Sequence, residues 1–382
     1  MPRVALFTPR FVPTSQTFIF EESTRYQRYE AEVFTRFRMN ETEFPFAAPV
    51  HALASERGPA WSWESALYQA TTLSPTFLRT MRAGKFDVIH GLFGRSAVNA
   101  MTYQSRCRLP LVVTFRGADV AVLESADRWQ PRNLPYWLLS KRLFTRASRY
   151  IAVSQDLVDR LLRVGADPKK LSLWHAGVAI PAPIDRPCSP HPLRILIVGR
   201  FVEKKGIPYG LDAFAEVARE RPDIVLRIVG DGPPRAEYER LALATGVGDR
   251  IAFLGMQTHA ELRDELAATD MLFAPSITVD GDVEGVPTVM MEAAARSIPV
   301  VAARSGGLPE IVEDGVTGLL VPERDVRSLA RALRALVDDG ARRVAMGCAA
   351  RAKIAREHNI VDRMALVERM YDEAIAEYRR SN

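Results

Sequence analysis

Two glutamates eight positions apart, Glu284 and Glu292, carry the most legible chemistry in the chain. They lie in FAPSITVDGDVEGVPTVMMEAAARSIPVVAARSGGLPE, Phe273 to Glu310. The apolar run Met271 to Ala274 reads as a buried strand, and Thr288 to Arg296 reads as a helix because Met, Glu and Ala favour one. Pro287 suits that helix's first turn. The N–H groups of Thr288 to Met290 then face outward at the positive end of the helix dipole, where phosphate binds. A carboxylate one turn inside, Glu292, can accept two hydrogen bonds from a vicinal diol. One on the preceding loop, Glu284, can face the group beyond the phosphate. The plainer use of both is as helix-start carboxylates favoured by the dipole.

Arg200 and Lys205 form a second constellation, in a loop punctuated by Gly199 and Gly206. Two cations just after a strand can clamp a diphosphate and stabilise charge on a departing phosphate, doing the work of a divalent metal. Most surface Arg and Lys are simply solvated. Two further motifs suggest chemistry and are given less weight. Asp280-Gly281-Asp282, with Glu284, has the look of a metal cluster, but a mobile acidic loop is the better reading. Gly230-Asp231-Gly232-Pro233 follows a strand yet lacks the third glycine and downstream acid of a dinucleotide fingerprint, so it reads as a turn beside a nucleotide.

These residues need strand ends to hold them. Strands are expected at Arg3 to Thr8, Val88 to His90, Leu111 to Phe115 and Tyr150 to Val153. A second set is expected at Arg194 to Val198, Val225 to Val229, Ile251 to Leu254, Met271 to Ala274 and Val300 to Ala302. Short apolar strands alternating with helical stretches imply parallel sheets covered on both faces, and ligands belong at the carboxyl ends of such strands. Ala179 to Pro192 holds five prolines and reads as an interdomain linker. The expected α/β organisation is an N-terminal domain over 1–183, a C-terminal domain over 184–360 and a closing helix over 361–382.

Composition narrows the setting. The 382 residues suit two or three domains. No apolar run reaches about 18 residues, and MPRVALFTPRF lacks a signal-peptide core, so the expectation is a cytoplasmic protein. Cys107, Cys188 and Cys348 are odd in number and widely spaced, as isolated thiols would be. Residues 1–183 hold 24 Lys and Arg against 15 Asp and Glu, so the basic charge lies in that half. Lys141, Arg142, Arg146 and Arg149 stand near Trp129, Tyr136 and Trp137. This mixture fits a solvated basic face, or one that meets the inner, anionic face of a membrane or a lipid-linked phosphate acceptor. No module for nucleic acid accompanies the charge.

The ordered series VGRFVEKKG (Val198 to Gly206), IVGDGP (Ile228 to Pro233), FLG (Phe253 to Gly255) and GVTGLLVP (Gly315 to Pro322), with the glutamate pair around Gly285-Val286-Pro287, resembles the family-four retaining glycosyltransferases. The resemblance implies a GT-B fold: two Rossmann-like, doubly wound domains facing a cleft, with the last helix crossing back to the N-terminal domain. It implies transfer of a sugar from a nucleoside-diphosphate sugar, with retention and without a metal or other cofactor. Arg200 and Lys205 take the diphosphate; Lys205 is preferred to Lys204 because it directly precedes the glycine. Glu292 takes the ribose, and Glu284 faces the sugar. Gly285, Val286, Pro287 and Thr288 form the donor-binding turn and helix start, with Gly199 and Gly232 bordering the nucleotide. Gly306, Gly307 and Glu310 border the sugar. The acceptor is a glycan, a lipid-linked molecule or a small molecule, met by the divergent segment Arg36 to Lys85.

The N-terminal half resembles the family less closely. Pro13 to Phe18 is similar to a Ser-Glu-Thr-Phe signature of exopolysaccharide-type members, with Gln16 for glutamate, and places Thr17 on the acceptor side. FDVIHGLFGRSA (Phe86 to Ala97) puts His90 at a strand end, as an acceptor-side or a structural residue. LVVTFRGADV (Leu111 to Val120) carries Arg116 where members commonly have histidine. Arginine stays protonated and cannot act as a base, so Arg116 is expected to alter donor choice, bind an anionic group or mark lost activity. Ala179 and Ser297 are milder departures, from aspartate and glycine. Two other functions stay open: a nucleotide-sugar epimerase of the same fold, and a silent partner that binds a nucleotide sugar.

Overall fold

Alternation along the first strand sets the first layer. In β1 (Arg3–Phe11), Val4 and Leu6 turn to one face and Ala5 and Phe7 to the other, and all four are fully buried, as a parallel sheet clothed on both sides requires. The computed structural model describes residues 1–13, 16, 18–56, 62–183 and 192–381. β2 (Glu30–Arg38), β3 (Val50–Ser55), β4 (Val88–Gly91), β5 (Leu111–Phe115), β6 (Arg149–Ala152) and β7 (Leu171–Leu173) join β1 in the parallel order β3-β2-β1-β4-β5-β6-β7.

β8 (Leu193–Val198), β9 (Ile224–Val229), β10 (Ile251–Gly255), β11 (Met271–Ala274), β12 (Val300–Ala303) and β13 (Gly318–Val321) form a second parallel sheet, ordered β10-β9-β8-β11-β12-β13. Both orders reverse direction beside their first strand, at β1/β4 and at β8/β11. These switch points are where the diverging loops of doubly wound sheets leave room for a ligand.

The chain divides into Met1–Gly177 with Ile360–Asn382, and Val178–Asn359. The division falls at Gly177, ahead of the proline-rich segment, of which 184–191 lie outside the described residues. The second unit begins and ends side by side: Val178 N–H donates to the His358 carbonyl at 2.8 Å, and Val178 bridges Asn359. The last helix, Ile360–Ser381, returns to the first unit and buries Met364, Val367, Tyr371 and Ala374. Glu368 fixes its course by accepting the N–H groups of Gln27 and Arg28 at 2.7 and 2.8 Å.

Each expected strand forms. Four others were not anticipated. β2 carries Glu30, Glu32, Arg36 and Arg38, charges that hide its apolar alternation, yet Glu32 is buried between Arg3 and His51. β3, β7 and β13 are short or edge strands, whose pairing depends on a neighbour more than on their own residues. Among the described residues no helix is long and apolar enough to cross a membrane.

Candidate active site

The second sheet's switch point gathers two loops, one following β8 and one following β11. They touch through a glycine: a Cβ at Gly206, whose φ is +63°, would lie 1.9 Å from the Pro275 carbonyl oxygen. Ile277 N–H then donates to the Lys204 carbonyl at 2.8 Å. Thr278 gives its N–H and hydroxyl to Glu323 at 2.7 and 2.8 Å, seating the second loop.

Within this frame Lys205 lies across Gly199, where a Cβ would come 2.7 Å from Lys205 Cε. Its ammonium reaches to 3.0 Å from Glu284 Oε2. That carboxylate is nearly buried, at 9% exposure, and its Oε2 makes no directed hydrogen bond among the described residues, so the contact is one of charge with charge. Backbone holds Glu284 from behind. Gly307 N–H donates to its carbonyl at 2.9 Å, and Gly306, with φ +49°, approaches so closely that a Cβ would sit 2.0 Å from that oxygen.

The neighbouring lysine does something else. Lys204 Nζ bonds Asp282 at 2.9 Å and the Val283 carbonyl at 3.3 Å, while Val279 and Asp282 exchange backbone hydrogen bonds. The acidic stretch, expected as a mobile loop, is thus a pinned turn. No three His, Cys, Asp or Glu side chains are grouped to hold a metal among the described residues.

The helix runs Thr288–Ala294, anchored by buried Met290, Met291, Ala293 and Ala294. Pro287 is its extended cap (ψ 123°), one position ahead of the first turn where the sequence suggested it. The helix ends short of Arg296 because Ser297 turns left-handed, with φ +59°, a conformation that glycine adopts more readily. A small pocket beneath the helix start is lined by Lys205, Ser276, Pro287, Val289 and Met290. Glu292 is half-buried one turn further in, and Gly285 faces open space. The 230–233 turn backs the β8 loop: a Cβ at Gly232 would lie 2.3 Å from the Phe201 carbonyl. The fold therefore assembles Gly199, Lys205, Glu284, Pro287 and Gly232 around one switch point. The Arg200 side chain is exposed, with no partner among the described residues.

Arg116 and His90 belong to the first unit. Arg116 follows β5 and is clasped by Glu22 through both guanidinium ends, one at 3.2 Å, while it donates through Nε to the Leu92 carbonyl at 3.3 Å and covers the Phe18 ring at 4.5 Å. Burial drives the Glu22 carboxyl pKa above its ordinary value despite Arg116 beside it. Asp119 organises the same turn by accepting N–H groups from Gly94, Arg116, Gly117 and Val120 at 2.8 to 3.2 Å. Burial raises its pKa too, against those hydrogen bonds. Neither Glu22 nor Asp119 stood out in the sequence. The signal for Asp119 was its place in FRGADV, three residues after Arg116.

The acceptor-side reading of His90 is corrected here. The ring is 3% exposed and bonded on both nitrogens, Nδ1 to the Tyr371 hydroxyl at 2.6 Å and Nε2 to the Thr114 hydroxyl at 2.8 Å. Burial first, and Arg116 second, lower its pKa to about 3, so it is a neutral structural histidine. Thr17 lies outside the described residues.

Comparison with known proteins agrees with this arrangement. The model for glycosyl transferases group 1 matches residues 188–353, and that for glycosyltransferase family 4 matches residues 21–180. The chain is 31% identical over 256 residues to WcaL of Escherichia coli, whose name places it in colanic acid biosynthesis; the match covers 65% of this chain and 61% of WcaL. It is 30% identical over 348 residues to the D-inositol 3-phosphate glycosyltransferase of Corynebacterium efficiens, covering 84% and 81% of the two chains. Among solved structures, Anabaena Alr3699/HepE in complex with UDP shares the fold at a TM-score of 0.76 and 19% identity, over 98% of this chain and 100% of that one. Both halves of the sequence thus lead to one assignment: the chain belongs to the group 1, family-four glycosyltransferases.

Proposed function

We infer that the protein transfers a sugar from a nucleoside-diphosphate sugar to a hydroxyl acceptor, with retention of configuration and without a metal. The observation that carries this reading is the placement of Lys205 against Glu284 at the β8/β11 switch point, beside the pocket under helix Thr288–Ala294. A cation and a carboxylate so placed suit the two ends of such a donor. Lys205, joined by the exposed Arg200, neutralises the diphosphate as it leaves, and the N–H groups at Thr288 add to it. Glu292 takes the ribose hydroxyls. Glu284 faces the sugar and the positive charge that grows on it in an oxocarbenium-like state.

No buried nucleophile is needed, because the acceptor attacks the face from which the diphosphate departs and a phosphate oxygen takes its proton. The positive charge a divalent ion would bring is supplied by side chains. The acceptor belongs to the first unit, and a glycan or lipid-linked acceptor is in keeping with the colanic acid role in WcaL's name. A second reading, a silent nucleotide-sugar binder, is favoured by one observation: Arg116 is engaged by Glu22.

Incubation with UDP-, GDP- and ADP-sugars, with and without glycan and lipid-linked acceptors, tests the proposal. Acceptor-dependent release of the nucleotide, with an unchanged rate in excess EDTA, is the expected result. Donor consumption giving a rearranged sugar without acceptor supports an epimerase. Donor binding with no turnover for any acceptor supports the silent binder.

A further inference from the structure

Outside the switch points, the most unusual surface is on helix Leu134–Arg146 and the turn before it. The 22 residues 128–149 carry six Lys and Arg and no Asp or Glu. The helix packs inward through Tyr136, Ser140, Leu143 and Phe144. Its outward face presents Pro135, Leu138, Lys141 and Arg142, at the spacing of a single helical stripe. Leu138 is 58% exposed, and Trp129, tilted against Trp137 with 4.9 Å between ring centres, is 59% exposed. Lys141, Arg142 and the guanidinium of Arg132 have no side-chain partner among the described residues. The acids just before it in the chain are already engaged, Glu124 by Arg160 and Arg163 and Asp127 by Gln130, and Arg149 at its far end is paired with Glu373 and Glu377.

Two features of this face are separable. Burying Trp129 and Leu138 calls for an apolar phase, since a soluble protein gains nothing by holding both in water. Indole rings sit well at the boundary between acyl chains and headgroups, and cations around them call for anionic headgroups. A polyanion such as nucleic acid answers the cations alone. We propose that Trp129, Leu138, Arg132, Lys141 and Arg142 form a docking face for an anionic phospholipid surface, seating the first unit peripherally on a bilayer without crossing it. This goes beyond the transfer reaction and stands whether or not that reading holds.

Sedimentation of the full chain with vesicles tests it. Binding is expected to vesicles of phosphatidylcholine with about a third phosphatidylglycerol, and not to phosphatidylcholine alone. Each surface cation is worth about fivefold in partition, so K141E/R142E should weaken binding at least tenfold. W129S/L138S should also weaken it, and should remove the bound fraction that survives 0.5 M salt. Both pairs are exposed, so circular dichroism and the melting temperature should match the wild type. Absence of binding to anionic vesicles, retention of binding in K141E/R142E, or binding lost wholly to salt and indifferent to W129S/L138S would each overturn the proposal. The last outcome, with equal binding to heparin, identifies the face as a general polyanion site.

Discussion

Lys205 Nζ and Glu284 Oε2 lie 3.0 Å apart, on loops that leave neighbouring strands of one sheet. The lysine is set by its position over Gly199, and the glutamate by backbone from Gly306 and Gly307. Neither is a surface charge free to choose partners. A ligand that inserts between them must replace a cation–carboxylate contact with contacts of its own, which a negatively charged diphosphate joined to a hydroxyl-rich sugar does on both sides.

Replacing Lys205 with alanine should lower kcat by about a hundredfold to a thousandfold, the scale of losing one preorganised charge at a departing group. Lys204→Ala, which frees only Asp282 and the Val283 carbonyl, should leave kcat within about tenfold. Steady-state rates of nucleotide release for the two variants check the assignment; equal losses would remove Lys205 from its role.

Gly306→Ala and Gly285→Ala separate packing from ligand contact. At Gly306 the new methyl would meet the Glu284 carbonyl in a left-handed backbone, so a loss of about 1–3 kcal/mol in urea unfolding is expected, with lower kcat. Nothing lies within 4 Å of a Cβ at Gly285. Gly285→Ala should keep stability within about 0.5 kcal/mol and weaken donor binding by calorimetry.

His90 gives a pH signature. Its pKa falls from 6.5 in the unfolded chain to about 3 in the fold, so between these values the unfolded state binds the extra proton. The stabilisation is fully present above about pH 6.5 and is lost as pH falls toward 3, at up to about 1.4 kcal/mol per pH unit. Unfolding free energies from pH 7 to 4.5 should show this slope, and His90→Gln should flatten it.

Tyr371→Phe should cost about 1–3 kcal/mol, because the hydroxyl it removes bonds both His90 and Tyr26 in the core. The loss belongs to the first unit and should appear in its hydrogen exchange. Nucleotide binding by the second unit should be untouched.

Breaking the Arg116 and Glu22 pair from either side leaves a buried charge alone. Arg116→Leu should therefore destabilise by about 3–5 kcal/mol, and Glu22→Leu/Arg116→Leu should recover part of that. If Arg116→Leu instead keeps the melting temperature and changes only the sugar or acceptor accepted, Arg116 is a substrate contact and its ion pair is incidental.

The sequence alone determined the alternation of apolar strands with helices and the helix after Pro287, because these depend on residues close in the chain. Periodicity, glycine and proline are local signals. It could not determine that Glu32 is a strand-core carboxylate, that His90 is sealed by a helix 281 positions away, or that Glu22 holds Arg116. Charges at these positions look solvated until a distant partner offsets their desolvation, and that partner is chosen by strand order. Nor did Gly306-Gly307 disclose its purpose until β11 and β12 lay side by side and brought its backbone against Glu284. Residue types set which chemistry was available; packing of the parallel sheet decided which charges meet.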